Sequence, residues 1–161
     1  SVSLLQLARA YTAFARDGDV VPVSLMKLDS PPAGVQVMKP EPARAMRRML
    51  ELAVSAEGTA PQARIAGYRV AGKTGTARKL KDGQYVNAYV ASFAGFAPVS
   101  DPRIVVAVMI AGPGGGRYYG GDVAAPVFAQ IAAGSLRTLQ VPPDGPTVPP
   151  PRIIAQVREG M

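Results

Sequence analysis

The chain has 161 residues, 48% apolar and 18% charged, with no Cys, His or Trp, and this length holds one hydrophobic core. Without Cys there is no disulfide framework, zinc ribbon, iron–sulfur cluster or thiol nucleophile; without His there is no Ser-His-Asp triad and no imidazole metal ligand, so nucleophilic chemistry would need Lys, a carboxylate or a terminal amine as its base. Eighteen Lys and Arg against eleven Asp and Glu give a net charge of +7, and between Gly58 and Lys81 six basic residues (Arg64, Arg69, Lys73, Arg78, Lys79, Lys81) meet no acidic one, a local field that attracts a carboxylate, a phosphate, a nucleic acid or a lipid headgroup.

Ser3 and Gln6 have the spacing of a capping box. Leu4, Leu7, Ala8, Tyr11, Phe14 and Ala15 then recur at three- and four-residue intervals as far as Gly18, which predicts an amphipathic helix. Val20 to Leu28 reads as a short β-branched, apolar strand, and Pro31 to Gly34 as a turn. A second helix is expected from Glu41 to about Ala56, with Met46, Met49, Leu50 and Ala53 on one face and Gly58 as its stop. Asp82-Gly83 signals a tight hairpin between strands Tyr68–Leu80 and Tyr85–Ala97. After a turn at Pro98–Pro102, the unbroken run Ile104–Ala111 predicts a strand covered on both faces. A glycine-rich loop, Gly112–Gly121, leads into a third helix, Asp122 to Leu139, apolar around nearly its whole circumference and so expected to be buried, with Pro126 tolerated near its start. From Val141 the chain is mostly Pro, Gly and Asp and reads as a tail. The expected class is α+β, an antiparallel β-meander packed with helices. Three strands are few for so apolar a closing helix, so further elements are expected in a longer parent. There is no apolar run of eighteen residues, no signal-peptide pattern and no initiator Met, as in an excised or processed piece.

Three motifs compete for the chemistry. Gly67 to Thr74 fits GxxxxGK[ST], the phosphate-cradling loop, but the preceding residues make a poor buried strand and Gly75 and Asp82-Gly83 leave no room for the required helix. Ser24-Leu25-Met26-Lys27 spells SxxK, which pairs a Ser nucleophile with a Lys base on a helix; on a strand, residues three apart point to opposite faces. Lys73-Thr74-Gly75-Thr76 on a strand puts Lys73 and Gly75 on one face and Thr74 and Thr76 on the other, with the glycine letting a substrate lie against the backbone and Lys and Thr side chains available for its carboxylate.

That third motif belongs to longer stretches. VAGKTGTARK (70–79), YVASFAGFAPVSDPRIVVAVMI (89–110) and YYGGDVAAPVFAQIAAGSLRTLQVPPD (118–144), with SVSLLQLARAYTAFARDG (1–18) and VPVSLMKLD (21–29), resemble the C-terminal part of the transpeptidase domain of class B penicillin-binding proteins, the division-type peptidoglycan D,D-transpeptidases in particular. The resemblance implies a fragment of the β-lactamase/penicillin-binding transpeptidase fold, with 1–140 as the C-terminal portion of that domain and 141–161 as a Pro-rich tail. It implies that Lys73 supplies positive charge near the proton relay and the substrate, that Thr74 and Thr76 bind the substrate or β-lactam carboxylate with Gly75 among the substrate-binding positions, and that the Thr76 N–H completes an oxyanion hole. Arg78, Tyr85, Tyr89, Tyr118 and Tyr119 match positions lining the family's cleft, and read equally as surface or packing residues. The family's catalytic SxxK lies well upstream of KTGT with SxN between them. Ser24 is too near, and no SxN intervenes, so the chain alone is expected to be inactive. The resemblance further implies D-Ala-D-Ala stem peptides, β-lactams and division proteins as partners of the parent, no nucleic acid, no metal and no cofactor. It also implies a parent on the periplasmic face of the inner membrane, held by a single N-terminal anchor outside this otherwise soluble chain. Exposed apolar surface left by the missing part can drive self-association. The alternatives are a D,D-carboxypeptidase or β-lactamase of the same fold, a catalytically silent binding module and, more distantly, a phosphate-loop nucleotide binder.

Overall fold

A computed structural model describes residues 2–30 and 32–146. Helix α1 runs Leu4–Ala15, opened by the capping box: the Ser3 Oγ accepts from the Gln6 N–H at 3.2 Å and the Gln6 Oε1 from the Ser3 N–H at 2.7 Å. It ends where Asp17 and Gly18 take positive φ and the Gly18 N–H returns to the Ala13 carbonyl, while a Cβ on Gly18 would lie 2.1 Å from the Met38 carbonyl oxygen. The strand expected over Val20–Leu28 is shorter: only β1, Asp19–Val20, pairs with β2, Val35–Gln36. Pro22 removes a backbone donor at once, and Leu25 and Met26 are exposed with nothing to pair against.

Helix α2, Pro40–Leu52, has proline in its first turn and ends four residues before the expected Ala56. The chain folds back there, with the Ala60 N–H on the Ala53 carbonyl, and a single 3-10 turn, Pro61–Ala63, follows. Strands β3 (Ala71–Lys81), β4 (Gln84–Ala97) and β5 (Ile104–Ala111) form an antiparallel sheet in that order. The hairpin is as the sequence predicts: Asp82 and Gly83 have φ of 50° and 79°, the left-handed pair of a type I′ turn.

The alternation of β4 places its two phenylalanines on opposite faces. Phe93 meets Phe128 at 4.7 Å between ring centroids, on the face covered by helix α4, Ala125–Thr138. Phe96 packs with Ala15, Leu50 and Val99 on the face covered by α1 and α2. A three-layer arrangement results. The third predicted helix is in fact broken: α3, Gly120–Val123, stops at Ala124, and α4 restarts with Pro126 in its first turn, where the missing N–H matters least.

Two expectations of burial are corrected. In α4 only the stripe Ala125, Phe128, Ala132, Leu136 is buried, while Val127, Ile131 and Leu139 are exposed; in β5 only Val108 is buried and Met109 is 56% exposed. Apolar character exceeds what the described residues cover. The stretch from Val141 departs from a free tail too: Val141 is buried, Tyr68 donates to its carbonyl at 2.6 Å, and Asp144 accepts from the Arg69 and Ser100 N–H groups at 2.7 and 3.0 Å. The rest of the expected tail, 147–161, and Pro31 of the expected turn lie outside the described residues.

Candidate active-site wall

Lys73, Thr74, Gly75 and Thr76 occupy the middle of β3, an outer strand of the sheet. Gly72 precedes them for a packing reason: a Cβ there would sit 2.5 Å from the Phe93 Cζ and 2.7 Å from the Ala94 carbonyl oxygen. Gly75 faces Ser92 across the ladder, whose Oγ lies 2.5 Å from where its Cβ would be. The glycine that sequence reasoning assigned to substrate access therefore also makes room for a neighbour within the chain.

The hydroxyls on the α4 side are held in place. Lys73 Nζ donates to Thr74 Oγ1 at 3.1 Å, and Thr74 Oγ1 lies 3.4 Å from Thr59 Oγ1. Thr76 Oγ1 accepts from the Gly120 N–H at 3.1 Å. This last contact requires α3 to lie on the sheet backbone. Gly120 and Gly121 permit it, since Cβ atoms would meet the Ser92 carbonyl oxygen at 2.2 Å and the Thr59 carbonyl oxygen at 2.3 Å. Thr59 and Ser92 carried no signal in the sequence: one follows a helix stop and the other sits in an apolar strand. The Gly120-Gly121 pair did carry one, read there only as part of a loop.

Further along, Arg78 and Tyr89 are ladder partners, with the guanidinium carbon 5.9 Å from the ring centroid. Tyr118 stacks on Tyr89 at 4.3 Å and 15°, and Tyr119 adjoins Tyr118 at 4.6 Å. Hydrogen bonding to Tyr119, with the Tyr119 charge adding to it, pushes the Tyr118 phenol above its ordinary value, so the Tyr118 ring stays neutral near pH 7. Four of the five candidate cleft residues thus form one cluster, tied to Thr76 through Tyr119, the residue before α3. Tyr85 stands apart beside the turn, in register with Leu80 and 72% exposed. A β-bulge lies between, opposite the Arg78–Leu80 stretch, and frees Asn87 and Ala88 to line a groove of about 580 Å³ with Gly112, Arg117 and Tyr118.

The basic run from Arg64 to Lys81 is less uniform than its sequence. Arg69 pairs bidentately with Glu51 at 2.7 and 2.8 Å, whereas Lys73, Arg78, Lys79 and Lys81 form no ion pair among the described residues. Arg64 likewise forms no ion pair among the described residues, so four of the five uncompensated cations of the run lie along β3.

The competing motifs fail on geometry. Lys73 and Thr74 are mid-strand with no helix following, so the phosphate-loop spacing has no phosphate cradle. Ser24 is neither on the expected strand nor on a helix; its Oγ donates to the Met26 carbonyl and accepts from the Met26 N–H at 2.8 and 3.1 Å, a local turn without Lys27.

Comparison with known proteins bears on the fold and the family. Residues 1–133 match the penicillin binding protein transpeptidase domain. The chain is 47% identical over 146 residues to the probable peptidoglycan D,D-transpeptidase PenA of Neisseria flavescens, covering 90% of this chain and 36% of that one, and 44% identical over 147 residues to the peptidoglycan D,D-transpeptidase FtsI of Escherichia coli K12, covering 91% and 25%. The apo transpeptidase domain of penicillin-binding protein 3 from Burkholderia pseudomallei superposes with a TM-score of 0.83 at 51% identity, over 90% of this chain and 45% of that one. The chain thus spans about a quarter to a third of the length of the curated relatives it matches.

Proposed function

Because the chain belongs to the penicillin-binding protein transpeptidase family, we propose that it forms one wall of the active site of a division-type peptidoglycan D,D-transpeptidase. The observation that carries this reading is the row of Lys73, Thr74 and Thr76 on an outer strand, with Thr76 tied to the Gly120 amide and an Arg–Tyr cluster continuing the same wall.

The chemistry is acyl transfer. A serine attacks the carbonyl of a stem peptide ending in D-Ala-D-Ala, the terminal D-Ala leaves, and an amine from a neighbouring stem peptide resolves the ester; a β-lactam traps the same serine. Thr74 and Thr76 hold the terminal carboxylate by hydroxyl hydrogen bonds, and the Lys73 ammonium adds charge beside them, where charge-assisted bonds are strongest. The Thr76 N–H donates to the developing oxyanion, a contribution of order 10² in rate for one donor. Arg78, Tyr85, Tyr89, Tyr118 and Tyr119 line the approach of the stem peptide or of a drug side chain.

The serine and its lysine base are contributed by a part of the parent outside these 161 residues, so this chain alone does not acylate. The parent acts at the septum on the periplasmic face of the inner membrane, anchored by a single N-terminal segment and working with other division proteins. Among the described residues no helix is long and apolar enough to cross a membrane.

Labelling with a fluorescent penicillin tests the proposal. The 161-residue chain should stay unlabelled, a longer protein containing it should label, and Lys73→Ala in that protein should slow labelling on the order of 10². Covalent label at Ser24, or a Lys73→Ala protein that labels at the unmodified rate, would overturn it.

A further inference from the structure

Beyond the Arg–Tyr cluster the wall runs into the groove of about 580 Å³, and both of its sides belong to this chain: residues 87–89 of β4, and residues 112–118 between β5 and α3. Its charge and polarity come from three places. Lys79 stands at the β-bulge, where it alone faces Val86, Asn87 and Ala88 between the ladder pairs Arg78–Tyr89 and Leu80–Tyr85. Freed from the ladder, its ammonium reaches the loop after β5, with Nζ 3.5 Å from where a Cβ on Gly112 would be. Gly112, at φ 68°, turns the chain out of β5 and has no side chain to fill that place. Asn87 and Arg117 line the same groove, one with an amide and the other with a guanidinium.

Two cations and an amide around one groove recognise an anion, since ammonium and guanidinium groups only donate and a carboxylate only accepts. Which anion follows from what the groove adjoins. Tyr89 and Tyr118 line it and also belong to the wall that continues from Thr76, so a group in the groove is attached to the ligand on the wall. On the reading given above, on which this inference rests, that ligand is a stem peptide, and the anions of a peptide are carboxylates. Spacing selects the residue. Ala91 of β4 faces Thr76, and Asn87 lies four positions from Ala91, about 13 Å at ~3.3 Å per residue. An extended peptide with its terminal carboxylate at Thr74 and Thr76, running toward Arg78, has the residue before D-Ala-D-Ala about 7 Å from that end, and a long side chain covers the rest.

We propose that Lys79, Asn87 and Arg117 form a second anion subsite, which takes a carboxylate on the side chain of the residue before D-Ala-D-Ala and so selects acidic stem peptides over neutral and basic ones. A basic side chain at that position meets two cations and is rejected, which adds to the selectivity.

Competition against a fluorescent penicillin, in a longer protein that contains this chain and the upstream part of the domain, is the test. The competitors are three acetylated peptides, X-D-Ala-D-Ala, with 2-aminoadipate, norleucine or lysine as X, and the readout is the peptide concentration that halves the labelling rate. The 2-aminoadipyl peptide should compete about tenfold better than the norleucyl one, the scale of one charge-assisted hydrogen bond, and the lysyl peptide less well than either. Arg117→Ala and Lys79→Ala should each lower the ratio of acidic to neutral competition about threefold or more, the double variant should bring it near one, and Arg117→Lys, which keeps the charge, should retain part of it. Labelling reports folded protein only, so a loss of yield does not move the ratio. An acidic peptide that competes no better than the norleucyl one, one that does not compete at all, or a preference that survives in the double variant would sink the subsite while leaving the active-site wall in place. A longer protein that takes no penicillin label fails the wall itself, and the subsite with it.

Discussion

The two halves of β3 are built on different principles. From Ala71 to Thr76 four of the six positions are set by a neighbour: Ala71 is buried against Phe96, Gly72 makes way for Phe93, Gly75 for Ser92, and Thr76 is tied to Gly120. From Ala77 to Lys81 the strand is largely exposed and its course is decided by the Asp82-Gly83 turn and the bulge opposite. Glycine serves both halves, by leaving room in the first and by adopting positive φ in the second. The proposed carboxylate-binding row sits at the last positions that packing still controls, so hydroxyls that must be precise are held by the core while the flanking Arg and Tyr side chains remain free to adapt.

If the first half is held by packing, the largest effect comes from removing its support. Phe93 is fully buried between β3 and α4, and Phe93→Ala should lower folding stability by about 3–5 kcal/mol, read as a fall in the urea midpoint at unchanged slope. Gly120→Ala drives a Cβ to within 2.2 Å of the Ser92 carbonyl oxygen, a backbone atom that cannot move aside, so α3 must lift. A loss of about 1–3 kcal/mol is expected, with slower penicillin labelling in the longer protein because the Gly120–Thr76 bond goes with it. A Gly120→Ala protein with unchanged stability would show that α3 does not brace the strand.

A smaller effect tests the entry to the same half. Asp144 joins the segment just before β3 to the one just after β4 by accepting from the Arg69 and Ser100 amides. Burial disfavours its charge, but the bonds from the Arg69 and Ser100 amides, with the nearby guanidinium, outweigh burial and hold its carboxyl below the usual range. A depressed folded value means stability that is fully present above the ordinary Asp range near 4 and is lost as pH falls through the folded value. Urea midpoints should therefore drop on acidification below pH ~4, and Asp144→Asn should flatten that drop. Asp17 gives the same sign, lowered by its bond to Arg44 and the Arg47 charge against some burial, so the slope should shrink without vanishing.

These two halves were not equally legible in the sequence. The capping box, the hairpin turn and the apolar run of β5 are local signals, and each element formed where it was read. The KTGT strand was legible as a strand, but its supports were not, because Thr59, Ser92 and Gly120 reach it from 15 to 44 positions away and none has a periodicity of its own. Local pattern also overstated regularity. Val20–Leu28 has strand composition yet no strand beside it beyond Val20, and the third helix reads continuous although Ala124 interrupts it. The apolar residues of β5 and α4 that led to an expectation of full burial are where the structure is open among the described residues, so composition there overstates what these residues alone bury.

The exposed half should be the more forgiving, and the two tyrosines on it measure by how much. Tyr89 and Tyr85 lie on one strand, but Tyr89 is stacked by Tyr118 and capped by Arg78 whereas Tyr85 is 72% exposed at the turn. Tyr89→Ala should cost about 0.5–1.5 kcal/mol from the lost aromatic pair. Tyr85→Ala should stay within about 0.5 kcal/mol of the unmodified chain, as for other surface positions without a partner. Because Tyr85 stands apart from the cluster tied to Thr76, penicillin labelling of its variant in the longer protein separates cleft from surface independently of stability. A slower Tyr85→Ala protein of unchanged midpoint would bring the hairpin tip into the proposed cleft, and equal midpoints for the two variants would mean that the stack contributes nothing to holding this half of the strand.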